Sequence, residues 1–194
     1  DTANNIRAMY GPINGPVVVF GPNNFPLAFN GVSGGDFAAA IAAGNPVIAK
    51  GHPSHPRTTQ LLAEAALEAI NKTDVPKAMV QMFYHTSNEN GLKLVSHSMI
   101  GATGFTGSRG GGLALKEAAD KAGKPIYLEM SSVNPIVILP GVLQERLDEV
   151  AQVLYASCTL GAGQFCTNPG LVLMLDNDDT RQFVQAVKQR MEAG

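Results

Sequence analysis

Cysteine and charge are scarce in this 194-residue chain, which has two cysteines and no tryptophan. Charged residues make up 15% and hydrophobic ones 45%, a balance that suits a buried core better than a solvated, extended polymer. The formal net charge is −2, so the basic footprint that attracts nucleic acid is missing. Acidic and basic residues are interspersed, which leaves no charged tail. No apolar run reaches the roughly 18 residues of a membrane span. Residues 1–15 lack the basic start and apolar centre of a secretory signal. Two thiols without such a signal predict reduced cysteines in a cytoplasmic setting.

What is there is alternation. Short β-branched runs at 15–21, 46–50, 78–84, 100–107, 125–130, 134–141 and 170–176 read as strands. Between and after them, 34–45, 56–72, 88–98, 111–124, 143–161 and 178–193 read as helices, with Pro56 near a first turn and Gly44 and Gly123 as stops. Strand–helix alternation predicts an α/β fold, a Rossmann-like parallel sheet flanked by helices. Ligands of such sheets bind beyond the carboxyl ends of the strands. Chemistry is therefore expected at the strand-to-helix turns. Both ends of the chain read as cuts through a larger protein.

Four stretches break local rules. "GPNNFP" (21–26) offers side-chain amides in a loop fixed by two prolines; it reads as an ordinary Asx turn or as an oxyanion donor. "AKGHPSHP" (49–56) puts Lys50 at a strand end, where it can reach a ribose or phosphate. His52 and His55 have an HxxH spacing, but the ligand count is too small for a metal site. "FTGSRGGG" (105–112) brings glycines to a helix start, where backbone N–H groups approach phosphate oxygens. It is neither GxGxxG nor a P-loop.

The fourth is a pair. Glu129 closes an apolar strand, where partial burial would lift its pKa towards that of a working base; the plain alternative is an edge-strand carboxylate in water. Cys166, in "GAGQFCTNPG", lies in a glycine-bounded loop suited to a reactive thiolate. Cys158 shares a helical stripe with Leu147, Val150, Ala151 and Leu154 and reads as core.

Taken together, "GPNNFP", "AAGNPVIAK", "GFTGSRGGG", "LEMSSVNP" and "GAGQFCTNPG" resemble the NAD(P)-dependent aldehyde dehydrogenase superfamily in order and spacing, over nearly the whole chain. The resemblance implies a cofactor-binding domain over 1–129 and the start of a second, α/β catalytic domain over 130–194. It implies that Cys166 is the nucleophile, Glu129 the general base and Asn24 the oxyanion-hole amide. Lys50 would contact the adenosine ribose. Phe105, Thr106, Gly107, Ser108 and Gly112 would form the turn and helix start near the pyrophosphate. A small aldehyde is the implied substrate and a homo-oligomer the implied state of the full-length protein.

Departures narrow the resemblance. The family's "PWNFP" is "PNNFP" here, the Gly-Gly after the base is Ser131-Ser132, and Lys-Pro-x-Glu is Lys50-Gly51-His52-Pro53. The family glutamate at that last position holds the ribose hydroxyls of NAD and would repel the 2′-phosphate of NADP. Pro53 removes the repulsion, so NADP is expected as cofactor, with NAD as the alternative and His52 and Arg57 as phosphate contacts. "EMSSVNP" with "GAGQFCTNPGLVL" is most similar to the 2,5-dioxopentanoate (α-ketoglutarate semialdehyde) dehydrogenase branch, close to NADP-dependent fatty aldehyde dehydrogenases. A competing expectation is a nucleotide-binding fragment with no turnover of its own.

Overall fold

The computed structural model describes residues 3–5 and 11–193. They fall into two compact units, Asp1–Met130 and Ser131–Gly194. Among the described residues no helix is long and apolar enough to cross a membrane.

The first unit runs β1 (Val17–Phe20), α1 (Gly35–Ala42), β2 (Val47–Lys50), α2 (Pro56–Asn71), β3 (Val80–Phe83), α3 (Asn88–Val95), β4 (Ala102–Gly107), α4 (Arg109–Lys121) and β5 (Ile126–Met130). The strands form one five-stranded sheet in the order β3-β2-β1-β4-β5. Every pair in it is parallel. Parallel strands need helical crossovers, and helices on both faces bury both sides of the central strands. This accounts for the unbroken valines of β1. Val18 packs with Val95, Leu115 and Ala119 on the α3/α4 face. Val19 packs with Ala40, Val47 and Ala49 on the α1/α2 face. Their relative exposures are 0% and 2%, and full burial of a valine contributes about 1.5–3 kcal/mol.

The helix stops act through backbone geometry. Gly44 and Gly123 have φ of 82° and 65°, the left-handed conformation that glycine adopts at least cost. After each, the chain caps the helix by reaching back. Asn45 N donates to Ala40 O at 2.9 Å, and Lys124 N to Ala119 O at 2.9 Å.

The second unit runs β6 (Pro135–Val137), α5 (Val142–Thr159), β7 (Leu171–Leu173) and α6 (Asp178–Ala193). β6 and β7 pair in parallel. Ile138, Leu143, Ala151 and Phe183 form its core, with Ile136 and Val172 packed against them. The alternate positions Val137, Leu139, Leu171, Leu173 and Leu175 are exposed. Two expectations need correction. The strand predicted over 134–141 ends at Val137, because Pro140 has no N–H and Gly141, at φ 93°, turns the chain into α5. Cys158 is half-buried rather than core; the core stripe it was grouped with is carried by Leu147, Val150, Ala151 and Leu154.

Candidate active-site segments

In the first unit the sequence-predicted groups gather at the carboxyl edge of the sheet. Asn24 lies on the loop after β1, Lys50 ends β2, Phe105–Gly107 end β4 and Glu129 lies near the end of β5. This is the edge where open α/β sheets bind ligands, and the strand order changes direction between β1 and β4.

Each group has a local cause. Gly21 lets the chain turn tightly after β1, since a Cβ there would stand 2.6 Å from Phe29 O. The loop then carries the half-buried Asn24. It closes on itself, with Phe29 N donating to Phe25 O at 3.1 Å and the two rings edge to face at 5.7 Å.

Lys50 is half-buried, and burial lowers the pKa of its ammonium from the ordinary 10.5. Burial first, then Lys50 and His55, lower the pKa of His52 from 6.5. Pro53 and Arg57 are exposed.

Ser108 is the N-cap of α4, its hydroxyl accepting from Gly111 N at 3.3 Å. A Cβ at Gly112 would stand 2.7 Å from Met130 Sδ and 3.1 Å from Phe105 Cε1, so a larger residue there would displace those side chains. The helix thus starts close against the Met130 and Phe105 side chains despite the roughly 1 kcal/mol that each helical glycine costs.

Glu129 corrects a sequence expectation. It is exposed, not partly buried among apolar neighbours. β5 is an edge strand, and its alternation turns Ile126, Leu128 and Met130 inward and Tyr127 and Glu129 outward. The register Thr106↔Glu129 puts its side chain on the α1/α2 face, whereas Lys50, paired with Phe20, points to the α3/α4 face.

In the second unit Cys166 is exposed and its thiol is free. Its loop leaves α5 through three successive residues at positive φ, Gly161 (60°), Ala162 (57°) and Gly163 (71°). Two asparagines hold that backbone. Asn134 Nδ2 donates to Cys166 O at 2.7 Å and to Asn168 O at 3.0 Å. Asn168 Nδ2 donates to Gly163 O at 2.8 Å and to Cys158 O at 3.2 Å. The nucleophile candidate is therefore presented outward by a loop whose carbonyls are fixed from behind.

A fixed, exposed thiol loop in one unit and a doubly wound sheet with polar groups at its carboxyl edge in the other have counterparts among known proteins. The aldehyde dehydrogenase family model matches residues 2–194. The chain belongs to the aldehyde dehydrogenase family. It is 48% identical over 179 residues to alpha-ketoglutaric semialdehyde dehydrogenase 2 of Azospirillum brasilense, covering 91% of this chain and 34% of that protein. It is 45% identical over 175 residues to alpha-ketoglutaric semialdehyde dehydrogenase of Acinetobacter baylyi, covering 89% and 33%. Among solved structures, succinic semialdehyde dehydrogenase from Streptococcus pyogenes, in complex with NADP+, superposes with a TM-score of 0.71 at 20% identity, covering 97% of this chain and 40% of that one. The chain thus spans about a third of the length of the curated aldehyde dehydrogenases it matches.

The dinucleotide that the family implies fits the residues present. The glycine-lined start of α4 offers N–H groups to a pyrophosphate. Lys50 offers a cation at the end of β2, and the exposed Pro53 that follows carries no charge. Sequence reasoning missed Asn134 and Asn168, and it missed Asn30 and Thr59, which lie buried beneath the Asn24 loop. The clue at 134 and 168 was Asn before Pro, a pair that marks turns. Nothing in the local sequence marks Asn30 and Thr59 as partners 29 residues apart.

Proposed function

We propose that this chain forms the cofactor-binding part and the nucleophile segment of an enzyme that oxidises 2,5-dioxopentanoate to 2-oxoglutarate with NADP. The observation that carries this reading is the 48% and 45% identity to two alpha-ketoglutaric semialdehyde dehydrogenases along nine-tenths of the chain.

The chemistry assigned to each residue follows from its type. The Cys166 thiolate adds to the aldehyde carbon, forming a C–S bond and placing negative charge on the oxygen. The Asn24 amide donates to that oxygen. A bound nicotinamide would supply the acceptor for the hydride on this carbon, and loss of that hydride would leave a thioester of Cys166. Glu129 takes a proton from water as the water oxygen attacks, and the C–S bond breaks to release the carboxylic acid and the thiolate. An exposed carboxylate suits this step, because it must meet water.

NADP rather than NAD follows from Pro53. Lys50, His52 and Arg57 supply positive or protonatable groups near it in sequence, and residues 49–57 contain no acid.

The test uses the full natural polypeptide with 2,5-dioxopentanoate and NADP, following NADPH absorbance and 2-oxoglutarate. Cys166→Ala abolishes both signals and Cys158→Ala retains them. Turnover that survives Cys166→Ala, or a wild-type protein active only on other aldehydes, overturns the reading.

A further inference from the structure

A chain of buried and half-buried hydrogen bonds runs beneath the Asn24 loop. Asn30 is 1% exposed and Thr59 0%. Asn30 Nδ2 donates to Thr59 Oγ1 at 3.1 Å, and His55 Nδ1 lies 3.3 Å from the same hydroxyl. His55 Nε2 lies 3.0 Å from Pro22 O. A carbonyl only accepts, so Nε2 carries the proton of the neutral ring and Nδ1 accepts from the Thr59 hydroxyl. The donor direction is then fixed throughout, from Asn30 to Thr59 to His55 to Pro22.

The two ends of this chain are the two stems of one loop. Pro22 precedes Asn24 and Asn30 follows it. Asn30 also ties its own stem, donating to Pro26 O at 3.0 Å and accepting from Val32 N at 3.1 Å. His55 and Thr59 lie one turn apart at the start of α2, where Thr59 N donates to His55 O at 3.2 Å. The same turn supports the segment after β2, because the Thr59 methyl would be 3.1 Å from a Cβ at Gly51. One helical turn therefore fastens both stems of the Asn24 loop and underlies the Lys50–Pro53 segment.

We propose that His55 and Thr59 are positioning residues that hold the Asn24 loop and the Lys50–Pro53 segment as one rigid piece. This rests on the functional reading above, which gives Asn24 the oxyanion and Lys50–Pro53 the adenosine end of the cofactor. A donor aimed at charge that exists only in the transition state must be fixed before that charge appears. A loop free to wander by an ångström loses rate without losing ground-state binding.

The experiment compares Thr59→Val, His55→Ala and His55→Gln in the full natural polypeptide, with turnover expressed per folded molecule, counted from the amplitude of the urea-unfolding transition, so that misfolded protein is not counted. Thr59→Val keeps the buried volume and removes only the hydroxyl. Both Thr59→Val and His55→Ala lower kcat by about tenfold while KM for the aldehyde moves less than about threefold. His55→Gln, whose amide N–H reaches Pro22 O, recovers part of the His55→Ala loss. Amide hydrogen exchange across 23–30 accelerates in the two defective variants. A kcat per folded molecule within about threefold of wild type in Thr59→Val and His55→Ala overturns the proposal. So does a Gln variant no better than Ala, or unchanged exchange in the loop. If the wild type turns over no aldehyde, the functional reading fails instead, and loop exchange alone decides whether the fastening exists.

Discussion

The Asp36 carboxylate rests against the α-carbon of Gly104, so that a methyl group added there would stand 2.7 Å from Oδ2 and 3.0 Å from Cγ. Gly104 is buried in β4 and paired with Val19 and Tyr127. Gly104→Ala must push Asp36, in the first turn of α1, off the sheet. Overpacking of this kind costs about 1–3 kcal/mol. A lower urea midpoint with an unchanged m-value is the expected result. A midpoint equal to wild type would mean that Asp36 swings away freely.

Asp36 also carries a pH signature. Burial of its carboxyl first, and the Glu129 carboxylate second, raise its pKa from the ordinary 3.8. Its place at a helix start works the other way and is outweighed. The residue is open to solvent on its other side, which weakens the effect. The sign follows from proton binding: the native state holds this proton more tightly than the unfolded state does. Its contribution is therefore present at low pH and is lost as pH climbs from about 3.8 through the raised folded value. Asp36→Asn removes that falling limb and gains stability relative to wild type above it. Urea midpoints across this range test it, and parallel profiles for the two proteins would refute it.

The first unit was legible because its signals are periodic and local. Consecutive valines in β1, alanines in α1 and glycine stops at 44 and 123 each specify their element without help from distant residues. The candidate groups were legible for the same reason: Asn24, Lys50, Ser108 and Glu129 follow or close a strand, and a parallel sheet gathers such positions at one edge. What stayed hidden is what depends on the third dimension. Glu129 looked apolar in its surroundings because its neighbours in sequence are apolar, yet alternation on an edge strand turns it outward. His52 and His55 offered too few ligands for a metal, and the sequence showed no other partner for His55; in space both of its ring nitrogens have protein partners, at Pro22 and Thr59.

Cofactor choice is testable at residue 53. On the cofactor placement proposed above, Pro53→Glu would put a carboxylate beside the adenosine ribose. Two like charges about 4 Å apart oppose each other by about 1 kcal/mol in water and more where water is excluded, so KM for NADP rises by about fivefold or more while KM for NAD holds or falls. His52 adds a pH dependence. Burial first, and then its neighbours Lys50 and His55, disfavour the imidazolium in the free protein, and a phosphate dianion bound beside it would reverse that balance. Affinity for NADP therefore rises as pH falls from about 8 to 6, and affinity for NAD changes less. Isothermal titration with both cofactors at several pH values measures this. Parallel pH profiles for NADP and NAD would remove His52 from the phosphate site.

The Cys166 loop gives the most divisible prediction, because Asn134 acts in two ways at once. Its side chain makes two hydrogen bonds to carbonyls of that loop, at 2.7 and 3.0 Å, and its backbone sits at φ 48°. Asparagine tolerates that conformation and alanine does not, at a difference of about 1 kcal/mol. Each bond contributes about 0.5–1.5 kcal/mol. Asn134→Ala therefore loses about 2–4 kcal/mol in all, the sum of both effects. Asn134→Gly relieves the backbone strain but not the lost bonds, and it adds flexibility to the unfolded chain. The Gly variant is expected to be more stable than the Ala variant and less stable than wild type, with Cys166 alkylation altered in both because both release its carbonyl. Asn134→Asp separates the roles further: it keeps the left-handed preference but cannot donate and turns a carboxylate towards the two carbonyls, so it rises above Ala if the backbone dominates and falls below Ala if the polar contacts do. Equal stability of all three variants with wild type would mean that the clamp contributes nothing to the loop that carries the thiol.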